Sequence, residues 1–439
     1  MPATDTPLRI IHVAAGAAAM YCGACARDLA LLRELRRAGH EVTVIPLYTP
    51  LRMDGQEPVA TTAVYLSGIV AYLQQQSPLF RHLPGFVHNW LSRPGLLTWV
   101  SRFAISTRPA ELGAMTVSVL AGSQGRQAEE LAKLVEFLAR GPRPDLVVLT
   151  NSMLSSLAPE VKRALGVPVV CGLQGEDDFV GQMPEPYRSQ AQSWMRSHAA
   201  SVDLFITPHE AYAGRMAEYL DLSPDRIRTV RTGVDARPYR REAPRPRDPF
   251  TIGYLSVITR AKGLDVLLEA ARLLAAEGRN FRLRVAGKVL DARYMRELQA
   301  TVRTAGMRDR CEFLGEVDFP GKRDFLRDVS VLAVPSRVAE CRGVAALEAL
   351  AAARPVVAPA TGAFPEMARL TEGVTLVPPE DPAALAAALA QLRDRPEQAD
   401  EQGQRGASGV AEHHSPALTT RQTVEVYREA LSRLNGPTP

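Results

Sequence analysis

Short apolar runs that alternate with amphipathic stretches constrain the fold of this chain more than any other feature. The first fifty residues show the pattern: apolar runs at residues 10–14 and 42–45 flank a leucine stripe at residues 29–35, which ends before Gly39. A stripe with that spacing is typical of an amphipathic helix, and glycine commonly follows the last helical turn. Strand–helix–strand units place their strands in parallel. We therefore predict an α/β fold built on parallel sheets.

The alternation occurs in two blocks, which predicts two domains. It resumes at residues 145–149, 168–170 and 204–206, and again at 250–255, 281–286, 311–314, 329–334 and 356–357. Between the blocks, residues 237–249 contain five arginines and four prolines, a composition typical of a linker. A chain of 439 residues also exceeds what one core usually supports. We predict Rossmann-like doubly wound domains at 1–232 and 250–412, a linker at 233–249, and a C-terminal helix and tail at 413–439.

Composition narrows the function classes. The net charge of +4 is too small for this length to indicate a nucleic-acid partner. We find neither a signal-peptide pattern nor an apolar stretch near the roughly 18 residues of a membrane span, so a cytoplasmic location is expected. Cys22 and Cys25 precede a helix, where a redox or metal role competes with a role as small loop residues. We expect no metal site.

The segment from residue 335 to 350 contains the most informative pattern. A predicted strand passes through a loop into a predicted helix, so the backbone N–H groups at the start of that helix should form an anion site. The residues concerned are Cys341, Arg342, Gly343 and Val344. Glu340 precedes them, and Glu348 follows Gly343 by five residues, roughly 7–8 Å along the axis. A carboxylate at each end of a phosphate cradle suits a sugar diphosphonucleoside.

This constellation resembles family 4 of the glycosyltransferases, whose signature is two glutamates separated by seven residues in a strand–loop–helix context. The surroundings match as well: Val-Pro-Ser at 334–336, Leu-Glu-Ala-Leu-Ala at 347–351, Arg-Pro-Val-Val at 354–357, Gly362 and Pro365-Glu366. The resemblance implies a GT-B fold, in which two Rossmann-like domains face each other across a cleft and the C-terminal helix returns to the N-terminal domain. It also implies that Glu340 contacts the donor sugar and Glu348 the ribose.

The loop after the first strand of the second domain carries the second part of the resemblance. The family pattern has an arginine five residues before a lysine, two cations that neutralise the departing diphosphate. Lys262, followed by Gly263, fits the lysine position, but Val257 occupies the arginine position. Arg260 either supplies the missing charge from a shifted position or is a solvated side chain that leaves the site with one cation.

The first domain matches the family less closely. Gly23 and Gly16 fall near the family's glycine-rich turn, where they either allow the donor phosphate to approach or only shape the turn. Gln174 stands where the family often has a histidine near the reacting centre; it can hydrogen-bond but cannot act as a base. Glu176 and Asp177 are candidates for acceptor contact or for orienting a hydroxyl at the reacting centre, or alternatively N-cap residues of the next helix.

Residues 58–110 are unusual because they contain no acidic residue, while arginines alternate with aromatic side chains. Such a stretch suits a helical insertion that covers the acceptor site. It also suits an anionic membrane surface or a lipid-linked acceptor, which would place the protein peripherally on the inner face of the membrane.

The resemblance implies a retaining, hexosyltransferase-like glycosyltransferase that is independent of metal and needs no cofactor. Its donor would be a UDP-, GDP- or ADP-sugar, and its acceptor a carbohydrate, a lipid-linked or a small-molecule hydroxyl. The departing phosphate would take the acceptor proton, so no covalent nucleophile is assigned. Two alternatives stay open: a non-catalytic sugar-nucleotide-binding protein, and a sugar-nucleotide epimerase of the same fold.

Overall fold

Two compact units make up the chain. The computed structural model describes residues 6–14, 23–47, 109–239 and 248–435. The described residues up to Val230, together with those from Thr420 onward, form unit 1, and the described residues between them form unit 2. The predicted linker 233–249 begins inside unit 2, because Val234 and Tyr239 are buried in the core of that unit. Val234 precedes the arginine- and proline-rich stretch 237–249, and Tyr239 is its one aromatic residue.

Unit 1 contains a parallel six-stranded sheet. Its strands are β1 Arg9–Ala14, β2 Glu41–Pro46, β3 Leu146–Leu149, β4 Val169–Gly172, β5 Leu204–Thr207 and β6 Ile227–Thr229, in the order β2-β1-β3-β4-β5-β6. Its helices include α1 Gly23–Arg37, α2 Pro109–Leu120, α3 Ala128–Arg140, α4 Leu157–Leu165, α5 Glu176–Gly181, α6 Tyr187–Ala199 and α7 Glu210–Leu220. All four residues of β3 are buried, as expected for a strand covered on both faces.

Unit 2 repeats this plan. Its strands are β7 Thr251–Leu255, β8 Arg282–Ala286, β9 Cys311–Gly315, β10 Val331–Ala333, β11 Val356–Pro359 and β12 Val374–Val377, in the order β12-β11-β10-β7-β8-β9. Its helices are α8 Leu264–Ala276, α9 Ala292–Thr304, α10 Phe319–Asp328, α11 Val344–Ala351, α12 Phe364–Thr371, α13 Pro382–Asp394 and α14 Pro396–His413. The strand order reverses beside β7 and β10, and in such sheets ligands bind at the carboxyl ends of the strands at that point.

The predicted α/β class and the two Rossmann-like sheets are confirmed. The sequence patterns missed β6 and β12. β6 has only three residues, and an arginine stands at its centre, so it lacks the apolar run that marked the other strands. β12 is a short run whose two middle residues are not buried.

The last helix, α15, spans Pro416–Asn435 and belongs to unit 1 from Thr420 onward. Val424, Val426, Tyr427 and Ala430 enter the core around β1 and β3. Glu429 accepts hydrogen bonds from the guanidinium groups of Arg228 and Arg433. The expected return of this helix to the N-terminal domain is confirmed. Near the end of the helix, by contrast, the side chain of Leu434 is 45% exposed.

No helix in the described parts of the chain is both long enough and apolar enough to cross a membrane.

Burial along α15 predicts where this helix contributes to stability. Tyr427→Ala should lower the free energy of unfolding by about 3–5 kcal/mol, because it removes a buried aromatic side chain and leaves a cavity. Leu434→Ala, the control on the same helix, should change it by less than about 0.5 kcal/mol. Urea unfolding followed by circular dichroism measures both. Equal effects of the two substitutions would contradict the packing described here.

Candidate functional site

Glu340 lies in the loop between β10 and α11 and forms an ion pair with Lys262. Lys262 Nζ lies 2.5 Å from Glu340 Oε1, and Ser336 Oγ donates to the same oxygen at 2.9 Å. Among the described residues, none donates a hydrogen bond to the other oxygen, Oε2. The carboxylate is therefore oriented through one oxygen while the second is left for another partner.

Two glycines bring the segments around this pair together. Gly263 has φ +66°, and a Cβ at this position would lie 1.9 Å from the carbonyl oxygen of Pro335. Gly362 has φ +60°, and its Cβ would lie 2.5 Å from the carbonyl oxygen of Glu340, which also accepts a hydrogen bond from Ala363 N at 2.8 Å. Only glycine fits at either position, so the loops after β7, β10 and β11 meet at Glu340.

Arg337 joins the same loops through its side chain. Its guanidinium donates to both carboxylate oxygens of Asp265, at 2.7 and 2.9 Å, and to the carbonyl oxygen of Arg260 at 2.8 Å. Burial raises the pKa of Asp265, but hydrogen bonds from Arg337 and Tyr294 outweigh burial and hold that pKa below its usual value. Burial and the hydrogen bond to Asp265 raise the pKa of Tyr294 to about 12. This anchor keeps the loops at a fixed separation.

Helix α11 begins at this junction. Its N-cap residue is Gly343, with φ +59°, and no side chain caps the first turn. A Cβ on Gly343 would lie 2.9 Å from the ring of Phe364, so a larger residue would displace the helix start. Val344 is the first helical residue, and Cys341 and Arg342 precede the cap, partly buried. The geometry suits an anion at the helix N-terminus, and anion binding by residues 341–344 stays a prediction.

Glu348, one turn into α11, repeats the arrangement of Glu340. Its Oε1 lies 2.5 Å from Lys322 Nζ and accepts a hydrogen bond from Tyr239 OH at 2.9 Å. No described residue donates to its Oε2. The roles of Tyr239, Lys322 and Ser336 were not predicted from the sequence. Ser336 stood inside the quoted Val-Pro-Ser motif, whereas Tyr239 and Lys322 carried no motif at all.

Arg260 does not join the ion pair of Lys262 and Glu340. Its guanidinium pairs with Glu297 and stacks on the ring of Tyr294, 4.8 Å from the centroid, and its side chain is 60% exposed. Val257, at the arginine position of the family pattern, is 38% exposed. The contacts of Arg260 thus fit a surface cation, and its predicted role at the donor remains a prediction.

The unit 1 candidates form a separate hydrogen-bonded group after β4. Gln174 Nε2 donates to the carbonyl oxygen of Thr150. Glu176 accepts from the backbone N–H groups of Ser152 and Gln174, at 2.8 and 2.6 Å, and burial raises the pKa of its carboxyl group. Both oxygens of Glu176 are thus occupied by backbone donors. These contacts fit a carboxylate that shapes the loop, and its role with an acceptor stays a prediction.

Asp177 is also held by its own unit. Tyr212 OH donates to Asp177 Oδ1 at 2.8 Å, and Arg215 Nη2 lies 2.5 Å from Oδ2. The alternative N-cap role of Glu176 and Asp177 is wrong, because the N-cap of α5 is Gly175, with φ +102°. The two carboxylates instead occupy the first turn of that helix, where negative charge is favourable.

Some of the predicted features lie outside the described residues or at their edge. Gly23 is the first residue of α1. Gly16 and residues 58–108 of the predicted insertion lie outside the described residues, and only its end, at the start of α2, is described. Within the described ranges, no group of three or more histidine, cysteine or acidic side chains is placed to hold a metal ion.

Two family models match the chain. One described as "Glycosyl transferase 4-like domain" covers residues 23–233, and one described as "Glycosyl transferases group 1" covers residues 249–395. Among similar sequences, a D-inositol 3-phosphate glycosyltransferase of Saccharomonospora viridis is 31% identical over 54% of this chain and 58% of its own length. The putative colanic acid biosynthesis glycosyltransferase WcaL of Salmonella typhimurium is 31% identical over 43% of this chain and 47% of its own. The matches thus span about half the length of these relatives.

Solved structures share the fold. HepE of Anabaena, solved with UDP, aligns with a TM-score of 0.68 at 15% identity and covers 96% of this chain and 100% of its own. Sucrose-phosphate synthase of Thermosynechococcus elongatus aligns with a TM-score of 0.68 at 19% identity and covers 97% and 100%. At these identities the likeness concerns the fold alone.

The close approach at Gly263 can be tested against a glycine with the same backbone conformation. Gly278 has φ +72° and no atom within 4 Å of its virtual Cβ. Gly278→Ala should lower the free energy of unfolding by about 1–2 kcal/mol, the cost of a left-handed alanine. Gly263→Ala should cost more, because the Pro335 carbonyl must also move. Urea denaturation measures both, and equal losses would show that the loops do not depend on this contact.

Proposed function

Because the chain belongs to the family 4 glycosyltransferases of the GT-B fold, we propose that it transfers a sugar from a nucleoside diphosphate sugar to an acceptor hydroxyl with retention of anomeric configuration. The observation that carries this proposal is that Glu340 and Glu348 are held in the same way. In each carboxylate, one oxygen is bound by a lysine and a hydroxyl group, and the second oxygen has no donor among the described residues. A ligand with hydroxyl groups at both ends and a diphosphate between them suits this arrangement.

Each residue then has a role. Glu340 accepts a hydrogen bond from a hydroxyl of the donor sugar, and Glu348 from a ribose hydroxyl. The uncapped start of α11 and the ammonium group of Lys262 stabilise negative charge on the departing diphosphate. Lys262 has three N–H donors, so it can bind a phosphate oxygen without releasing Glu340. This positive charge comes from the protein, and we propose that no metal or cofactor is needed.

The proposed retention depends on the face of the sugar that the acceptor attacks. The acceptor attacks the face that the diphosphate leaves, the bond from the anomeric carbon to the phosphate oxygen breaks, and that oxygen takes the acceptor proton. Gln174 cannot take a proton at neutral pH, so its expected role is to hydrogen-bond. HepE was solved with UDP and with UDP-glucose, so UDP-glucose is the first donor to test.

The activity is tested by incubating the full chain with UDP-, GDP- and ADP-glucose, with and without candidate acceptors, and measuring nucleotide release. Binding of a donor at a hundred times its Kd should also stabilise the fold by about 2.7 kcal/mol in a thermal-shift assay. NMR of the product at the anomeric carbon gives the configuration, and an inverted product would contradict the retaining mechanism.

One observation favours a second candidate, a protein that binds sugar nucleotides without catalysis. Val257 replaces the arginine of the family pattern, and Arg260 is engaged by Glu297. Such a protein would bind a donor in the thermal-shift assay yet show no release of nucleotide, either by transfer or by slow hydrolysis.

The two glutamates should differ in effect. Glu348→Ala should raise the Kd for UDP, or for the nucleotide that binds, because the ribose contact is lost in the ground state. Glu340→Ala should mainly lower kcat, because the reacting sugar is no longer held. Calorimetric titration and steady-state kinetics separate the two. An equal loss of nucleotide affinity in both variants would remove this division of roles.

Lys262 and Arg260 provide a matched pair of cations two residues apart. Lys262→Ala should lower kcat by about 10²–10³-fold, the usual effect of removing one preorganised charge partner. Arg260→Ala should lower kcat distinctly less, because its guanidinium already pairs with Glu297. Unchanged turnover in Lys262→Ala would refute the placement of the diphosphate.

A further inference from the structure

Glu348 is held by two residues from distant parts of the chain. Tyr239 ends a single helical turn at Arg237–Tyr239, and Lys322 lies on α10. Both act on one atom, Glu348 Oε1, at 2.9 and 2.5 Å. The side chains of Glu348 and Lys322 are only 11% and 13% exposed, so this ion pair is largely removed from solvent.

Phe319 orders both partners of this carboxylate. Lys322 Nζ lies 5.4 Å from the centre of the Phe319 ring, and the Tyr239 ring meets Phe319 edge-on at 6.1 Å. The backbone beneath Glu348 is equally fixed, because Leu347 and Ala349 are fully buried in the core of unit 2. A glutamate loses up to about 1.5–2 kcal/mol of rotamer entropy when it is immobilised. These contacts immobilise the side chain through protein groups alone.

The lysine also balances charge. A carboxylate close to a diphosphate would repel it, and the repulsion grows as water is excluded from the site. Lys322 neutralises Glu348 in the same way as Lys262 neutralises Glu340. A largely buried carboxylate without such a partner would also be costly to keep ionised.

We propose that Tyr239 and Lys322 are positioning residues for nucleotide recognition: they hold Glu348 Oε1, so that Oε2 accepts a hydrogen bond from a ribose hydroxyl of the donor. This inference rests on the proposed function, because it assumes that a nucleotide binds beside α11. It assigns a role to two residues that contact the ligand only through Glu348. Tyr239 and Lys322 thereby determine how strongly the site distinguishes a ribose from a sugar without those hydroxyls.

The test is a cycle of protein and ligand changes on the full chain. Isothermal titration measures the Kd of UDP and of 2′,3′-dideoxy-UDP for the wild type, Tyr239→Phe and Lys322→Met. Tyr239→Phe should raise the Kd of UDP about fivefold, which corresponds to the loss of one hydrogen bond. It should leave the Kd of dideoxy-UDP within about twofold of the wild-type value. Lys322→Met should raise the Kd of UDP more than that of dideoxy-UDP. The lost charge affects the binding of both ligands, whereas the lost positioning of Glu348 affects only UDP, which has the ribose hydroxyls.

Kinetics with UDP-glucose adds a readout that a purely structural role would not give. Tyr239→Phe should raise the donor KM about fivefold with kcat unchanged, and Lys322→Arg should recover part of the affinity that Lys322→Met loses. The control is Lys162→Met in unit 1. Lys162 also forms a partly buried pair, with Asp203 at 2.7 Å, and that carboxylate likewise accepts a second hydrogen bond, from Val169 N. Lys162→Met should leave the Kd values of UDP and of dideoxy-UDP unchanged.

The outcomes separate this inference from the proposed function. If the wild type binds UDP and Tyr239→Phe weakens UDP and dideoxy-UDP equally, or weakens neither, the positioning role is wrong while the proposed function stands. GDP and ADP with their dideoxy forms replace the uridine pair if UDP does not bind. If the wild type binds none of the three nucleotides, the proposed function itself fails.

Discussion

The contact between the loop after β7 and the loop after β10 is the constraint on which the candidate site depends. Gly263 lets the backbone of one loop approach the Pro335 carbonyl of the other, and no residue with a Cβ fits there without displacement. Arg337 then ties the loops through Asp265. Lys262 precedes that glycine by one position and Glu340 follows Arg337 by three. The short ion pair between them is thus a consequence of backbone packing.

The two glutamates share one local design although their partners come from different elements. In each case a lysine and a hydroxyl group bind one carboxylate oxygen: Lys262 and Ser336 at Glu340, Lys322 and Tyr239 at Glu348. A site for a diphosphate must hold hydroxyl-binding carboxylates without repelling the phosphates. A lysine on each carboxylate meets that requirement, and a carboxylate that the protein holds loses less side-chain entropy on binding.

Sequence patterns predicted the features of this protein that depend on residues close together along the chain. The alternating apolar runs predicted both sheets except for β6 and β12. The spacing of Glu340 and Glu348 placed them around one helix start, because both residues belong to a single continuous segment. Tyr239 and Lys322 were beyond such reasoning. They lie 109 and 26 residues from Glu348 along the chain, and nothing in their immediate neighbours marks them. Arg260 shows the same limit, because its pairing with Glu297 depends on how α9 packs beside the loop.

Val257 stands where the family has an arginine, so the net charge of the site depends on which other cations are present. An arginine, a lysine and two glutamates sum to no net charge, and so do the two lysines and two glutamates of this site. Here Lys322, from α10, balances Glu348, and Lys262 balances Glu340. In the proposed function, the favourable field for the diphosphate would then come mainly from the uncapped N–H groups of α11 and from the remaining N–H donors of Lys262. We therefore expect the missing arginine to affect the rate of the proposed transfer step more than the binding of the nucleotide, because the hydroxyl contacts proposed for Glu340 and Glu348 do not involve it.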